Sequence, residues 1–365
     1  MRLAVVVTDP YLVAEVLGKD TEIEKSIEGV YSKFNVLLHA HGKPNIFTSH
    51  IDDYWKLVRK GVAPAFSPKN IRKGFGHVVQ VNRQLISILE EKRGAPVDLD
   101  NATLRVTLDV IGRVGFGKDF GATRDLSDGR TNVALDMMAA GRDEGIKRFS
   151  NPLRQYMQFL PPLPDDRIAA EIGVFFTGGF ETTGHTIAWA LFMISMHEEV
   201  EAKVLAELAF LELMPTPEQP TPRAMEYDDI AKLTYTTNAI KESMRMLPVL
   251  ADGTNRTTVR DTRLGPHLIP KGTMVWVPLK ATFNSPHLWD RPDQYIPVTA
   301  EAGKQSMPDA SSEARAKRFL PFSAGTRDCV GQSLARMNYT TTVAMLLAHF
   351  KFQLTPEVTP HIKPP

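Results

Sequence analysis

Cysteine is all but missing from this chain: Cys329 is the one thiol in 365 residues. That excludes an intramolecular disulfide framework and fits a reducing compartment. An excess of charge of either sign is missing too. The 43 Lys and Arg residues stand against 42 Asp and Glu, a net charge of +1. Bulk electrostatics therefore points to neither nucleic acid nor an acidic partner. Long apolar runs are lacking. The stretch 3–7 is too short for a signal core or a membrane span, and nothing else reaches a span's length without charges. No dinucleotide fingerprint is present: Gly112, Gly115 and Gly117 are not in G-x-G-x-x-G order and follow no strand, and Gly74 and Gly76 fail likewise. Internal repeats and low-complexity domains are absent. What remains is ordinary globular composition, 43% hydrophobic and 23% charged, in a chain longer than one small core needs.

The lone thiol sits in Phe322-Ser-Ala-Gly325-Thr-Arg327-Asp-Cys329-Val-Gly331-Gln-Ser-Leu-Ala335, ahead of a helix predicted from about Val330 to His349. Leu334, Met337, Val343, Leu346 and Leu347 give that helix its spacing. Gly325 lets the preceding loop turn sharply. A sulfur at a helix N-terminus meets free N–H groups and the positive end of the dipole, which favour thiolate. Taken alone, one cysteine reads as a small buried hydrophobe; the surrounding pattern reverses that. The spacing F-x-x-G-x-R-x-C-x-G-x-x-x-A resembles the heme-binding loop of the cytochrome P-450 (heme-thiolate monooxygenase) family. The resemblance implies heme b with Cys329 as axial thiolate, which pushes electron density to the iron and favours O–O cleavage. It implies that Arg327 holds a propionate carboxylate, that Phe322 shields the sulfur, and that Gly331 lets the macrocycle approach the backbone.

Residues 1–20 read as a strand, a turn at Asp9-Pro10 and a helix. In the family these follow an N-terminal segment, often a membrane anchor; the abrupt start is read here as a chain lacking that beginning. Residues 25–50 read as a loop with short helical pieces, either part of a substrate wall or plain core contacts. The next helix, Trp55–Lys60, is capped by Asp52 and ends in the Pro-rich stretch 63–68. Trp55 and Arg59 share its face. W-x-x-x-R is a weak signal alone, but beside the cysteine loop it resembles the family helix whose indole N–H and guanidinium contact a propionate. Residues 69–93 and 98–117 read as amphipathic helices. Residues 130–160 suggest another helix, then a break at Pro161-Pro162-Leu163-Pro164. In the family, helices that roof the substrate pocket lie in this interval; here they are read as missing.

The longest helix is predicted over 166–197, capped by Asp165 and Asp166. It is apolar all round and spans about 45 Å. Its middle, Gly178-Gly179-Phe180-Glu181-Thr182-Thr183, resembles the family motif [A/G]-G-x-[D/E]-T-[T/S]. Paired glycines and threonine hydroxyls favour a local kink. By resemblance Thr182 donates a hydrogen bond to iron-bound oxygen and Glu181 relays protons. The plain alternative is a glycine pair at a helix crossing beside a solvated carboxylate. Thr182 also argues against the isomerase and dehydratase branches, which often lack that hydroxyl.

A mixed-charge helix over 198–212 and a Pro-rich loop over 214–224 precede a helix from about Asp229 to Leu247. Within it Glu242 and Arg245 are i, i+3 neighbours. Followed by Pro248 and Arg256, they resemble the family's core ion pair, with Arg256 as another propionate ligand and Val249–Ala251 on the pocket wall. Residues 257–279 alternate and form a small β-sheet, with Met274–Val277 a strand. The segment Trp289–Pro297 resembles the approach to the family's P-E-R-[F/W] motif, but Val298-Thr299-Ala300 follows, and the arginine expected to join Glu242 and Arg245 is not there. Residues 301–316 read as polar loop, and a closing β-hairpin is expected beyond Pro365.

The expectation is one domain over 1–365, incomplete at its N-terminus, C-terminal hairpin and pocket roof. Its fold is mainly α with a small β portion, enclosing heme between the long central helix and the cysteine loop. The implied activity is insertion of one dioxygen atom into a small apolar organic substrate. A reductase or ferredoxin would supply electrons, since no flavin or nicotinamide domain is present. Nucleic acid is not an expected partner. Family members with a longer N-terminus sit on the endoplasmic reticulum or in organelles; this chain carries no anchor. Three alternatives are an inactive fragment, a non-catalytic heme-binding protein, and an isomerase or dehydratase of the same superfamily.

Overall fold

The structure is a computed structural model and describes residues 3–18, 22–25, 31, 44–127, 132, 166–297 and 318–356. Most of the expected 25–50 loop, the helix expected within 130–160, the break at Pro161–Pro164, Asp165 and the polar loop over 301–316 lie outside the described residues.

A small β lobe begins the chain. Strand β1 (Ala4–Val6) leads into α1 (Pro10–Gly18), whose start is fixed by Asp9 Oδ1, accepting from the Tyr11 and Leu12 amides at 3.0 Å each. β2 (Ile23–Lys25) follows. Far along the chain come β3 (Thr254–Thr258), β4 (Thr262–Leu264), β5 (His267–Ile269) and β6 (Met274–Val277). One sheet runs in the order β1-β6-β3-β2, with β1 parallel to β6 and the other pairs antiparallel; β4 and β5 form a hairpin. Val275 and Val277 point inward with the period of a strand and pack on Val13, Val16 and Leu17 of α1.

The larger lobe is helical. It contains α2 (Asp53–Val62), α3 (Pro68–Lys73), α4 (Phe75–Glu91), α5 (Leu99–Phe116), α6 (Asp166–Ser195), α7 (Glu198–Phe210), α8 (Thr234–Met246), α9 (Leu279–Phe283) and α10 (Gln332–His349). Asp52 caps α2 by accepting from the Trp55 amide at 2.7 Å, as expected. Asp98 caps α5 in the same way, and Gly117 ends it at φ +63°. α6 packs against α5, α8, α10 and α7, while its apolar Ile172 and Trp189 stay exposed.

Two expectations are corrected. The helix expected over 69–93 is broken at Gly74 into α3 and α4. The break lies where α5 presses in: a Cβ on Gly74 would come within 2.8 Å of Val114. The helix expected from Asp229 starts at Thr234. Asp229 instead closes a 3-10 turn over Tyr227–Asp229, and α8 is capped by Glu207 of α7, whose carboxylate accepts from the Tyr235 and Thr236 amides at 2.7 and 2.8 Å. Long-range caps of this kind carry no local sequence signal. Among the described residues, no helix is long and apolar enough to cross a membrane.

Candidate functional site

The cysteine loop is pinned from both ends of its own turn. The Cys329 amide donates to the Phe322 carbonyl at 2.9 Å, closing a loop that passes through Gly325 at φ +75°. A Cβ on Gly325 would lie 2.4 Å from the Leu17 carbonyl oxygen, so glycine alone fits where α1 meets the loop. α10 begins at Gln332 rather than Val330, with Gly331 as its N-cap at φ −84°.

The Cys329 thiol is open to solvent on one side yet set deep among protein atoms. Burial pushes its pKa above the ordinary thiol value; the Gly331 N–H and Arg59 oppose this, and Asp328 adds to it. The helix-terminus argument thus found a real donor, Gly331, but missed the larger effect of burial.

Trp55, Arg59 and Arg327 come together beside this loop. The Arg327 guanidinium lies 4.7 Å from the Trp55 ring centroid. Both reach the same carbonyl: Trp55 Nε1 donates to Ile46 O at 2.9 Å and Arg327 Nη1 at 3.4 Å, while Arg327 Nη2 donates to Ser49 O at 2.5 Å. Arg59 Nη1 donates to the Asp328 carbonyl at 2.9 Å, and its Nη2 is paired with the Asp328 carboxylate. Arg256 is buried on β3, in register with Lys25 and Val275. Lys25 in turn donates to the Phe47 carbonyl at 2.6 Å, one residue from the carbonyl that Trp55 and Arg327 share.

Glu181 and Thr182 lie half-buried in the middle of α6. The helix runs without interruption through 178–183, and the Thr182 hydroxyl donates back to the Gly178 carbonyl at 2.8 Å. No hydrogen bond among the described residues joins Thr182 to Cys329. Their elements are linked by packing: Phe66 stacks on Phe175 of α6, with centroids 6.0 Å apart, and also borders Gly331.

Glu242 and Arg245 form a two-pronged pair, with Nε and Nη2 donating to the carboxylate at 2.9 and 2.8 Å. The rest of the Arg245 fork goes to the carbonyls of Phe283, Pro292 and Gln294. Among the described residues no second arginine bonds to Glu242. Arg318 arrives from another direction, 4.0 Å over the Trp289 ring, whose centroid also lies 5.0 Å from Arg245.

Sequence reasoning missed Glu171 and Ile46. Glu171 of α6 accepts from the Ile46 amide at 3.0 Å and from the Tyr54 hydroxyl at 3.4 Å. One residue, through its N–H and its carbonyl, therefore connects the long helix to the Trp55 and Arg327 donors. The only available signal was a carboxylate on a mostly apolar helix.

Comparison with known proteins identifies the family and the fold. The sequence model of the family described as Cytochrome P450 matches residues 1–141 and 155–365. Cytochrome P450 714D1 of Oryza sativa subsp. japonica is 26% identical over 428 residues, covering 98% of this chain and 70% of the relative. The probable cytochrome P450 6a20 of Drosophila melanogaster is 25% identical over 362 residues, covering 84% of this chain and 70% of the relative. Among solved structures, the heme domain of a cytochrome P450DA mutant superimposes with a TM-score of 0.77 at 22% identity, covering 94% of this chain and 79% of that one. A cytochrome P450, CYP102L1, gives 0.71 at 22% identity, covering 95% and 86%. The mainly helical fold with its small sheet is the fold of those structures. With a family model matching nearly the whole sequence, the chain belongs to the cytochrome P450 family, whose members are in general heme-thiolate monooxygenases.

Proposed function

We propose that this chain is a heme-thiolate monooxygenase acting on a small apolar organic substrate, with Cys329 as the axial ligand. The carrying observation is the setting of the sulfur. A Cβ on Gly331 would meet only Cys329 Sγ and Phe66, each at 3.9 Å, which is ordinary contact. No protein atom requires glycine there, so the residue keeps clear the space next to the sulfur. That space, and the donor set of an indole N–H with guanidinium groups, suit a flat macrocycle bearing carboxylates. The residues present therefore fit heme b.

When bound, heme supplies the oxidising chemistry and the protein tunes it. Cys329 would hold the group through its sulfur, which gives up any proton it carries as it binds. Trp55, Arg59, Arg256 and Arg327 would orient the carboxylates, and forked guanidiniums do this with two parallel bonds. Phe322 limits water at the sulfur. Glu181 and Thr182 would move and hold protons, the latter through the hydroxyl now turned to Gly178. Glu242 and Arg245 brace the structure and touch no reacting atom.

Electrons would arrive from a separate reductase or ferredoxin. The face next to the cysteine loop suits such a partner, since α2 and α3 carry exposed Lys56, Lys60, Lys69, Arg72 and Lys73.

The test is the carbon monoxide difference spectrum of the reduced, heme-loaded protein. The expected result is the long-wavelength Soret band of thiolate ligation, lost in Cys329→Ala. Heme binding without that band would overturn the assignment of Cys329. Turnover of a substrate without any reductant would replace the monooxygenase reading by an isomerase or dehydratase.

A further inference from the structure

We infer that Thr107 of α5 is a positioning residue for the oxygen-handling segment of α6: its buried hydroxyl binds the Phe180 carbonyl and fixes the stretch from which Glu181 and Thr182 project. The inference rests on the monooxygenase reading for its functional consequence, and on geometry alone for the bond itself.

Thr107 is fully buried. Its Oγ1 lies 2.8 Å from the Phe180 carbonyl oxygen, against 3.0 and 3.1 Å from the Thr103 and Leu104 carbonyls of its own helix. One hydroxyl proton serves one acceptor at a time, and the cross-helix contact is the shortest. The two helices are brought together for it by glycines. A Cβ on Gly179 would come within 2.8 Å of Ile111, and one on Gly184 within 2.9 Å of Leu104 and 3.0 Å of Thr107 Oγ1. Leu104, Thr107 and Ile111 share one face of α5, so the hydroxyl stands between the two glycine seats.

The acceptor is not an isolated one. On α6 the carbonyls of Gly178, Phe180 and Thr182 each take a hydroxyl, from Thr182 at 2.8 Å, Thr107 at 2.8 Å and Thr186 at 2.7 Å. Such bonds compete with the helix's own N–H donors and soften or bend it locally. Two of the three come from α6 itself. The third, from Thr107, ties the stretch to a neighbouring helix, and so helps set where the side chains after Phe180 stand. A filler role would need only the methyl and the shape.

Four variants separate the roles. Thr107→Val keeps the shape and removes the hydroxyl; Thr107→Ser keeps the hydroxyl and removes the methyl. Thr107→Ala, read against Thr107→Ser, removes the hydroxyl alone should the Val variant fail to fold. The Cys329→Ala protein serves as the spectral control. The first readout is isotope-edited infrared of protein labelled with 13C at the phenylalanine carbonyls. One carbonyl band is expected to move to higher frequency in Val and Ala but not in Ser. The second is the fate of dioxygen in the heme-loaded protein while an added reductase and its reduced nicotinamide keep supplying electrons. Dioxygen takes two electrons and two protons to become peroxide, or four of each to become water. The peroxide share is expected to rise severalfold in Val and Ala and to stay near wild type in Ser. An unmoved carbonyl band, or a peroxide share that follows the methyl instead of the hydroxyl, would overturn the inference. Loss of the thiolate band in wild type would sink the monooxygenase reading while leaving the infrared arm intact.

Discussion

Arg59 grips the residue before Cys329 twice, through the Asp328 carbonyl at 2.9 Å and through its carboxylate. The two residues are 269 positions apart, so this grip ties α2 to the cysteine loop. Both side chains are partly exposed, and solvent limits the ion pair to about 1 kcal/mol or less. Its importance is therefore in placement. Arg59→Lys keeps the charge and loses the fork. Its heme is expected to pass to an apo-globin acceptor faster than that of wild type, with the far-ultraviolet circular dichroism unchanged. Equal transfer rates would show that the grip does not hold the site.

The Glu242–Arg245 pair works differently, because both side chains are buried. Glu242 also accepts from the Ile296 amide at 3.2 Å. Glu242→Gln removes the counter-charge and leaves a guanidinium out of water, a change that costs about 3 kcal/mol or more. Urea unfolding should show the midpoint falling by that free energy divided by the slope, with the slope itself unchanged. A loss below about 1 kcal/mol would mean that the three carbonyls on Arg245 carry the site without Glu242.

These two pairs mark how far the sequence could be read. Glu242 and Arg245 are three apart on one helix, so their meeting was visible in the spacing. Trp55 and Arg59 were visible in the same way, as was Asp52 as a cap. The contact of Arg318 with Trp289 was not, because nothing local relates the ends of two loops. It was also hidden by a reasonable expectation, that an arginine near Pro297 would complete the pair; in the structure Arg318 approaches through the Trp289 face instead. Glu171 with Ile46, Glu207 capping α8, and Thr107 with Phe180 were missed for the same reason. Sequence spacing reports contacts within an element, whereas these are set by which elements the fold brings side by side. The upward push on the Cys329 thiol was missed because the surroundings that cause it come from the whole lobe.

Asp229 sets an acid limb of stability. Its carboxylate takes both Arg223 Nη atoms at 2.7 and 2.8 Å, the Glu226 amide at 2.8 Å and Lys232 at 3.1 Å. The Arg223 fork, opposed by burial and helped by the Glu226 amide and Lys232, holds the carboxyl well below the usual carboxylate range. A group with a depressed folded pKa stabilises the fold above its unfolded pKa, and that stability is lost as pH falls through the folded value. Asp229→Asn should therefore be less stable than wild type at neutral pH, by about 2 kcal/mol. The gap should stay constant down to about pH 4, the ordinary range of an aspartate, and close only below it. A gap that already narrows near pH 6 would assign the effect to another group.

The two glycines flanking Cys329 should separate folding from binding. Gly325 needs its residue type for the protein's own sake: φ is +75° and the Leu17 carbonyl stands 2.4 Å from any Cβ. Left-handed backbone alone costs an L residue about 1–2 kcal/mol, and the clash adds to it. Gly331 has φ −84° and ordinary 3.9 Å contacts, so alanine there strains nothing in the protein. Gly325→Ala should accordingly lower the unfolding free energy of the heme-free protein and its heme content together. Gly331→Ala should cost the heme-free protein only the N-cap preference, about 1 kcal/mol, clearly less than Gly325→Ala, and still reduce heme occupancy. Denaturant unfolding of the heme-free forms, set beside heme titration, reads both quantities. If Gly331→Ala binds heme as wild type does, the space beside the sulfur is not where the macrocycle lies. If it unfolds as early as Gly325→Ala, the glycine is there for the fold, and the argument that it is kept for the cofactor falls with it.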